Sequence, residues 1–563
     1  MRTAFILTVV VLTGTGGELS ITHAMKRIGE VHEFSPLAVL RVVGRALGEA
    51  WLWVGILLMA VSFFSFLTML SWYPVSFVVP STSLAYVTGA LGAKFLLNER
   101  LSVTRWAGVL FICAGVALAW VNRMPAMPEA GMVHGPGLHA FLRMALRYTA
   151  FTGAGVSLAF YVFGAWAAWR FFRGARARAA ADRFRAAAGP TSVPGGFTLR
   201  AFTPPASILK PVRGLDRGAY ENFASFCRQD YPEFEIIFAA GEESDPAVPV
   251  IRRLMRDFPD SLSNPRRSIR LLLGVERTGT NDKVAKLCRM AEDARYGVLV
   301  VTDSDVRVAP QYLRGVVAPL ADPGVGAVTA LYRAIAPPAS SVGGAPLPFG
   351  ALMDAVGSSA SFAASALVAR SLQGLKFAMG STIATTRECL EEIGGFGALL
   401  DLHSDDYELG RRIAACGHRI ELAPEPVEMD FPSETFSEYL RHELRWLVGI
   451  RHIRPGGHLG LLMTQGLAWA VAAALLARSW SAAGAWLGAY LGVRLAAGYV
   501  VGVWGLRDPV LRSRLWLLPL HDFFGFFAWL ASFGVNRIEW RGLKFRLDKG
   551  RMIPVPRAGR GEA

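Results

Sequence analysis

The chain has 563 residues, 52% of them hydrophobic, with a mean hydropathy of +0.34 and a formal net charge of +15; this is more apolar than an ordinary soluble protein and long enough for more than one domain. Its five cysteines (Cys113, Cys227, Cys288, Cys389 and Cys416) are scattered without a CxxC pair, which argues against a zinc site and a disulfide framework. No stacking-aromatic or zinc-finger motif accompanies the positive charge, so nucleic acid is set aside as a partner, and arginines flanking apolar segments mark a membrane protein.

Apolar stretches that can cross a bilayer, about 20 residues each, run over 3–22, 50–70, 74–97, 104–121 and 149–169. The first is read as a span and not a cleaved signal peptide, because it continues past Glu18 without a convincing cleavage site. Six arginines between Arg170 and Arg185, with the single acid Asp182, follow the fifth span and hold the next region in the cytoplasm. Residues 187–200, rich in Gly, Pro, Ser and Thr, read as a linker.

From 205 to about 455 strands alternate with helices. Strands are expected at Ala206–Pro211, Phe234–Ala240, Ser268–Leu273 and Tyr296–Thr302, and helices at Tyr220–Arg228, through Val250–Met255 and at Asp282–Met290. That alternation implies βαβ units and a mostly parallel sheet. After His452 come apolar segments near 459–478, 482–504 and 515–533, then a basic tail, Asn536–Ala563, with eight Lys/Arg. Three full spans would put that tail outside, against its charge, so one of the three is expected to be interfacial or re-entrant; 515–533, which contains His521 and Asp522, is the candidate.

The strand ending at Thr302 runs into Asp303-Ser-Asp305. Alternate positions on a strand face one side, and in an open α/β sheet ligands sit at the carboxyl ends of strands. Two carboxylates there suit Mg²⁺ or Mn²⁺, which complete their coordination with water and substrate phosphate; an acidic turn after a strand is the plainer reading of the same residues. Asp405-Asp406 has the residue type of a general base with a neighbour that raises its pKa, or equally of an acid pair at a helix N-terminus. Arg445 can fork onto a diphosphate or snorkel at the membrane face, and Trp446 alone reads as an interface anchor. Lys210 and Lys283 contact phosphate or solvate strand ends.

Taken in order, Ser207-Ile-Leu-Lys-Pro-Val-Arg-Gly-Leu-Asp, Asn222-Phe-Ala-Ser-Phe, Gln229-Asp-Tyr-Pro, Asp245-Pro-Ala, Asn281-Asp-Lys-Val, Thr302-Asp-Ser-Asp-Val-Arg-Val, Gly380-Ser, Ser404-Asp-Asp-Tyr and Arg441-His-Glu-Leu-Arg-Trp resemble a membrane-bound inverting glycosyltransferase of the family-2 type, in the branch of ceramide glucosyltransferase and the hopanoid glycosyltransferases. The resemblance implies a glycosyltransferase-A (Rossmann-like) α/β domain facing the cytoplasm, plus multi-spanning α-helical membrane regions. It implies a UDP-sugar donor bound by Lys210, Asp245, Asn281, Lys283 and Asp303, with Asp245 beside the uridine. It further implies a divalent cation on Asp303 and Asp305, and Asp406 as general base. The family's last motif is usually Gln or Arg, two residues, then Arg-Trp; here Arg445 and Trp446 match, while His442 preceded by Arg441 leaves open which of those two makes the third contact. The resemblance also implies a membrane lipid hydroxyl as acceptor; ceramide, a hopanoid-like polyol and a diacylglycerol all present one, and no residue discriminates among them.

Residues 1–121 resemble a four-helix small multidrug-resistance or drug/metabolite transporter (EamA-like) unit, through Gly17-Glu18-Leu-Ser-Ile-Thr-His-Ala-Met-Lys26 and Asn98-Glu-Arg-Leu. An acid inside a span is a functional candidate, so Glu18 either binds a cation or amine headgroup or pairs with Lys26 or His23. The expected organisation is therefore a transporter-like module at 1–121, an extra span and basic segment at 122–186, the catalytic domain at 187–455, membrane or interfacial helices at 456–535 and the tail at 536–563. A transporter or flippase with an accessory cytoplasmic domain is the alternative, disfavoured by the three intact acids Asp303, Asp305 and Asp406.

Overall fold

The computed structural model describes residues 2–28, 48–73, 75–95, 108, 138–187, 202–259, 266–335, 347–540 and 543–555. The expected span at 104–121 (apart from Gly108), the Asn98-Glu-Arg-Leu motif and most of the linker lie outside these residues. Two compact units are present, Met1–Tyr148 and Thr149–Ala563.

In the first unit, helices Arg2–Ile28 and Ala50–Trp72 are both long and apolar enough to span a membrane. They approach closely where Gly17 meets Gly55: a β-carbon on either would stand about 3 Å from the other's carbonyl oxygen, the small-residue contact on which membrane helices rely. The expected span at 74–97 is instead two shorter helices, Val75–Thr82 and Leu84–Phe95, with Pro80 inside the first, where it removes a backbone donor.

The second unit is built on a seven-stranded sheet: β1 (Ala206–Pro211), β2 (Phe234–Ala239), β3 (Arg267–Leu272), β4 (Val298–Val301), β6 (Val325–Thr329), β8 (Ile383–Thr386) and β9 (Arg419–Leu422), in the order β3-β2-β1-β4-β8-β6-β9. The first four are parallel, whereas β8 runs antiparallel to both β4 and β6. β1, β2 and β4 are buried along their whole length, as continuous apolar strands in a doubly covered parallel sheet must be. A small sheet of β5 (Val306–Arg307), β10 (Val427–Met429) and β7 (Tyr332–Ala334) lies beside it. The order of the parallel strands reverses between β1 and β4, which makes their carboxyl ends the topological switch point where ligands bind.

One face of this sheet shares a continuous apolar core with membrane helices: Leu209, Leu299 and Ile383 belong to the same cluster as Phe171 and Phe172 of helix Leu138–Ala187, Leu367, and Val501. Arg176, from the six-arginine cluster, donates to the carbonyls of Trp504 (2.5 Å) and Gly505 (3.0 Å) and lies over the Trp504 ring, so it caps a neighbouring helix as well as bearing positive charge.

After residue 454 the chain forms a bent pair of helices, Pro455–Thr464 and Gly466–Leu475, meeting at 54°. It returns along Trp480–Gly505 and continues through Pro509–Ser532. This last helix both starts and ends on the sheet domain. At its start Arg333 of β7 donates to the carbonyls of Leu506 and Arg507 (2.8 Å each), and Val510 packs with Ala334 and Phe431. At its end Arg451 donates to the carbonyls of Ser532, Phe533 and Val535. By length and composition it is one of the helices apolar enough to cross a membrane, and both of its ends are tied to the sheet domain. Helix Phe349–Gln373, apolar enough to count as a span yet absent from the expected ones, also starts and ends there: Gly350 abuts Thr435, and Leu375 bridges to Ile420 of β9. The basic tail is a correction. Its described residues form an antiparallel meander, β11 (Arg537–Trp540), β12 (Leu543–Asp548) and β13 (Arg551–Pro554), whose Ile538, Phe545, Leu547 and Met552 pack on Val448.

Among these helices Arg494 makes a two-point contact with Asp522 (2.8 Å for each bond), and Tyr490 donates to the same carboxylate at 2.8 Å. Breaking a buried pair from one side leaves an uncompensated charge, whereas replacing both partners is far milder. Asp522→Ala should therefore cost on the order of 3–5 kcal/mol, read as lost thermal stability in detergent, and Asp522→Leu combined with Arg494→Met should recover most of it. A single variant as stable as the native protein would show that the pair is not desolvated.

Candidate active site

The acids after β4 do not lie on the strand; they occupy the turn between β4 and β5. The Asp303 carboxylate takes an ion pair from Lys283 Nζ at 2.6 Å. Lys283 stands in the first turn of helix Asp282–Asp293 and also reaches Asp405 Oδ2 at 3.6 Å. Burial lowers the Lys283 pKa, but Asp303, Asp405 and Asp406 outweigh it and hold the ammonium charged. Asp305 carries a buried Oδ1 with no hydrogen-bond partner, and burial, then the charges of Asp303 and Asp216, push its carboxyl up to about 8.

Across the cleft, Asp405 and Asp406 open helix Asp405–Ala415. Asp406 Oδ1 accepts from its neighbour Tyr407 N–H at 2.7 Å and Oδ2 from Gly380 N–H at 2.8 Å. Gly380 is the point where the two sides meet: a β-carbon there would stand 3.1 Å from both Asp303 Oδ2 and Asp406 Oδ2. The helix approaches this segment so closely that Gly410 touches the Phe377–Ala378 backbone, leaving no room for a side chain. A helix N-terminus favours a charged carboxylate, yet burial and then the Asp405 charge raise Asp406 to about 6. Near neutral pH that group is mostly ionised and still basic enough to take a proton, as a general base requires.

Other expected residues are placed differently. Lys210 does not solvate a strand end. It is fully buried on β1, donates to the Asp303 carbonyl at 2.7 Å and lies 3.8 Å from the Phe226 ring centre, and burial lowers it to about 7. Asn281 is likewise committed to structure: its Oδ1 caps helix Asp282–Asp293 by accepting from the N–H groups of Lys283 and Val284, while Nδ2 donates to the Leu402 carbonyl (2.9 Å) and to Asp405 Oδ1 (3.3 Å). Asp245 follows β2 and accepts from the N–H groups of Gly214 and Ala247, tying the loops after β1 and β2 together.

Helix Phe436–Ile453 carries the last motif. Arg441 is exposed and donates to the Ser437 carbonyl and hydroxyl within its own helix. His442 pairs with the buried Asp354 at 3.0 Å. Neither meets the acids; both line a cavity of about 500 Å³ with Arg445, Arg537 and Glu539. Arg445 adds to the burial that holds His403 down at about 4, placing its charge beside the segment before Asp405. Trp446 is half-exposed and edge-on to Phe362 at 5.1 Å, which stacks on Tyr332. In the other unit, Glu18 is exposed on helix Arg2–Ile28.

Sequence reasoning missed two supports of the cleft. Ser304 donates to Asp216 Oδ2 at 2.5 Å, pinning the acidic turn to the loop after β1; Asp216 closes the first quoted motif, and that was its signal. Tyr332, from β7, is pushed upward by burial and by the charges of Asp406 and Asp305, and no motif marks it.

Asp303 and Asp305 fit a divalent cation through the orphaned Asp305 oxygen and the donor chemistry: two carboxylates suit an ion that takes its remaining ligands from water and phosphate. Among the described residues no group of three or more His, Cys, Asp or Glu converges on such a position, so a cage made of protein alone is not the design.

Residues 149–553 match the family described as glycosyl transferase family 21, where the motifs suggested the family-2 type. The chain is similar to ceramide glucosyltransferase 1 of Caenorhabditis elegans, 23% identical over 376 residues, covering 62% of this chain and 73% of that protein. It is also similar to the probable 4-amino-4-deoxy-L-arabinose-phosphoundecaprenol flippase subunit ArnE of Photorhabdus laumondii, 31% identical over 81 residues, covering 14% of this chain and 72% of that protein. Among solved structures it is similar to a mannosyltransferase of Pyrobaculum calidifontis in complex with GDP-mannose and Mn²⁺, with 19% identity and a TM-score of 0.37, over 68% of this chain and 99% of that one.

The Asp405 charge is what a conservative change can remove. Asp405→Asn should lower the Asp406 pKa, because a like charge no longer opposes ionisation. The acid limb of the rate profile, expected near the Asp406 value of about 6, should move to lower pH. An unchanged or raised limb would remove Asp406 as the group being titrated.

Proposed function

We propose that this chain, which belongs to glycosyl transferase family 21, moves a hexose from a nucleotide sugar to the hydroxyl of a ceramide-like membrane lipid, with inversion at the anomeric carbon. The observation that carries this reading is the opposition of Asp303, on the turn that also carries Asp305, to Asp406 across Gly380, beyond the carboxyl end of β4.

The acceptor hydroxyl gives its proton to Asp406, held in orientation by the N–H groups of Gly380 and Tyr407. Its oxygen forms the new bond to the anomeric carbon as the bond to the diphosphate breaks, and the electron pair leaves with the diphosphate. Asp303 and Asp305 would hold the divalent cation. When bound, such an ion stabilises charge on the leaving phosphate oxygens. Lys283, paired with both Asp303 and Asp405, offsets the repulsion between them, and Arg445 places a further positive charge beside His403 in the loop that leads to the base. The ceramide-like acceptor is preferred to a hopanoid polyol because the curated relative bears that name. The catalytic body faces the cytoplasm, where nucleotide sugars are made, and the arginines between Arg170 and Arg185 support that orientation.

A second element of the reading concerns residues 1–121, a transporter-like module in which Glu18 is the candidate polar contact. Likeness to a flippase subunit supports it.

The test is purified protein in detergent with radiolabelled nucleotide sugars and ceramide, products identified by mass spectrometry. Asp406→Asn keeps the shape of the site but cannot take the proton, so transfer should fall by about 10²–10⁴-fold while sugar-nucleotide binding persists. Native rates in that variant would remove the base assignment.

The metal assignment has its own check. Asp305→Ala should abolish most turnover and the activation by Mg²⁺ or Mn²⁺. Near-native rates in a chelator-treated preparation of Asp305→Ala would sink it.

A further inference from the structure

We infer that the C-terminal meander is a clamp on the catalytic loop, in which backbone hydrogen bonds from β13 and its turn fix Asp401–Ser404 and so position Asp406; this rests on Asp406 being the base. The loop that delivers Asp405 and Asp406 has no place in the seven-stranded sheet. It is held on one side by the cap of helix Asp282–Asp293: Asn281 N–H donates to the Leu400 carbonyl at 2.8 Å, Asn281 Nδ2 to the Leu402 carbonyl at 2.9 Å, and Thr280 N–H to Asp401 Oδ1 at 3.1 Å.

On the other side its partner comes from about 150 residues later in the chain. Met552 N–H donates to the Asp401 carbonyl at 2.8 Å, His403 N–H donates to the Gly550 carbonyl at 3.0 Å, and Leu402 pairs with Arg551 between them in antiparallel fashion. This is an added edge-strand contact, made with main-chain groups the meander does not use internally. The turn that presents the Gly550 carbonyl has positive φ at both Lys549 (46°) and Gly550 (83°), the geometry of a two-residue hairpin turn for which glycine is suited.

The clamp is itself anchored. Ile538, Phe545, Leu547 and Met552 pack on Val448, and Arg451 holds the chain entering β11 through Val535 O and Asn536 Oδ1. Both anchors belong to helix Phe436–Ile453, which carries Arg445 and Trp446. Meander, motif helix and base loop therefore form one block, and the C-terminal strands act as a positioning element with no contact to substrate required. A displacement of about 1 Å in a reacting group can cost about 10²-fold in rate.

Met552→Pro removes the N–H that bonds Asp401, whereas Met552→Leu keeps that donor and the apolar contact. In the full-length enzyme in detergent, Met552→Pro should lower kcat about tenfold or more with KM for the nucleotide sugar within about twofold, and Met552→Leu should stay within about twofold of native on both. Gly550→Ala is the second variant; its β-carbon meets only Ile453, at 3.4 Å, so its effect is the strain of a left-handed turn. It should lower kcat in the same direction and speed exchange of the His403 amide hydrogen, and it decides the matter if Met552→Pro does not fold. Native kcat in the folded variants, or a KM rise without a fall in kcat, overturns the clamp. Asp406→Asn run in parallel separates the two ideas. If it is inactive while the clamp variants are normal, only the clamp fails; if it retains native rates, the base reading fails first.

Discussion

The ion pair between Lys283 and Asp303, 2.6 Å long, is the contact on which the cleft depends. Four carboxylates, Asp303, Asp305, Asp405 and Asp406, line its two sides, and burial, then nearby like charges, oppose their ionisation, as the raised carboxyls of Asp305 and Asp406 show. Lys283 lies between the pair on the acidic turn and the pair on the helix, and its charge is secured by both. Asn281, two residues earlier, caps the same helix and bonds the loop before Asp405. Helix Asp282–Asp293 thus sets the spacing of the two acidic groups, and Gly380 keeps the gap between them clear.

The membrane helices are part of this construction. Phe171, Phe172 and Val501 share an apolar cluster with the strands of the sheet, and helices Phe349–Gln373 and Pro509–Ser532 begin and end on the catalytic body. The Arg494–Asp522 pair then locks Pro509–Ser532 to the returning helix Trp480–Gly505.

Much of this was legible from residue order. β1, β2 and β4 announce themselves as continuous apolar runs because both faces of a parallel sheet are covered, and Asp303 and Asp406, distant in sequence, flank the same glycine, Gly380. β5, β7 and β10 are two or three residues long and present no periodicity to read. Helix Phe349–Gln373 escaped because its small apolar residues lie within the domain's own stretch of sequence. The C-terminal meander was hidden by its charge: eight Lys/Arg suggested a tail, although Leu543-Lys-Phe-Arg-Leu-Asp alternates as a half-buried strand does. Lys210 and Asn281 are both buried and hydrogen-bonded within the fold, and burial is a property of the folded chain that residue type does not carry.

The anchoring of Pro509–Ser532 at both ends has a kinetic consequence. A body held at both ends of an apolar helix moves with the bilayer which that helix enters, so its cleft samples the surface in two dimensions. A lipid acceptor is then met at a concentration set by its mole fraction among neighbouring lipids, while the soluble donor is met at its bulk concentration. The two substrates are measured on different scales by the same cleft, and diluting the bilayer with inert lipid weakens one encounter while leaving the other untouched.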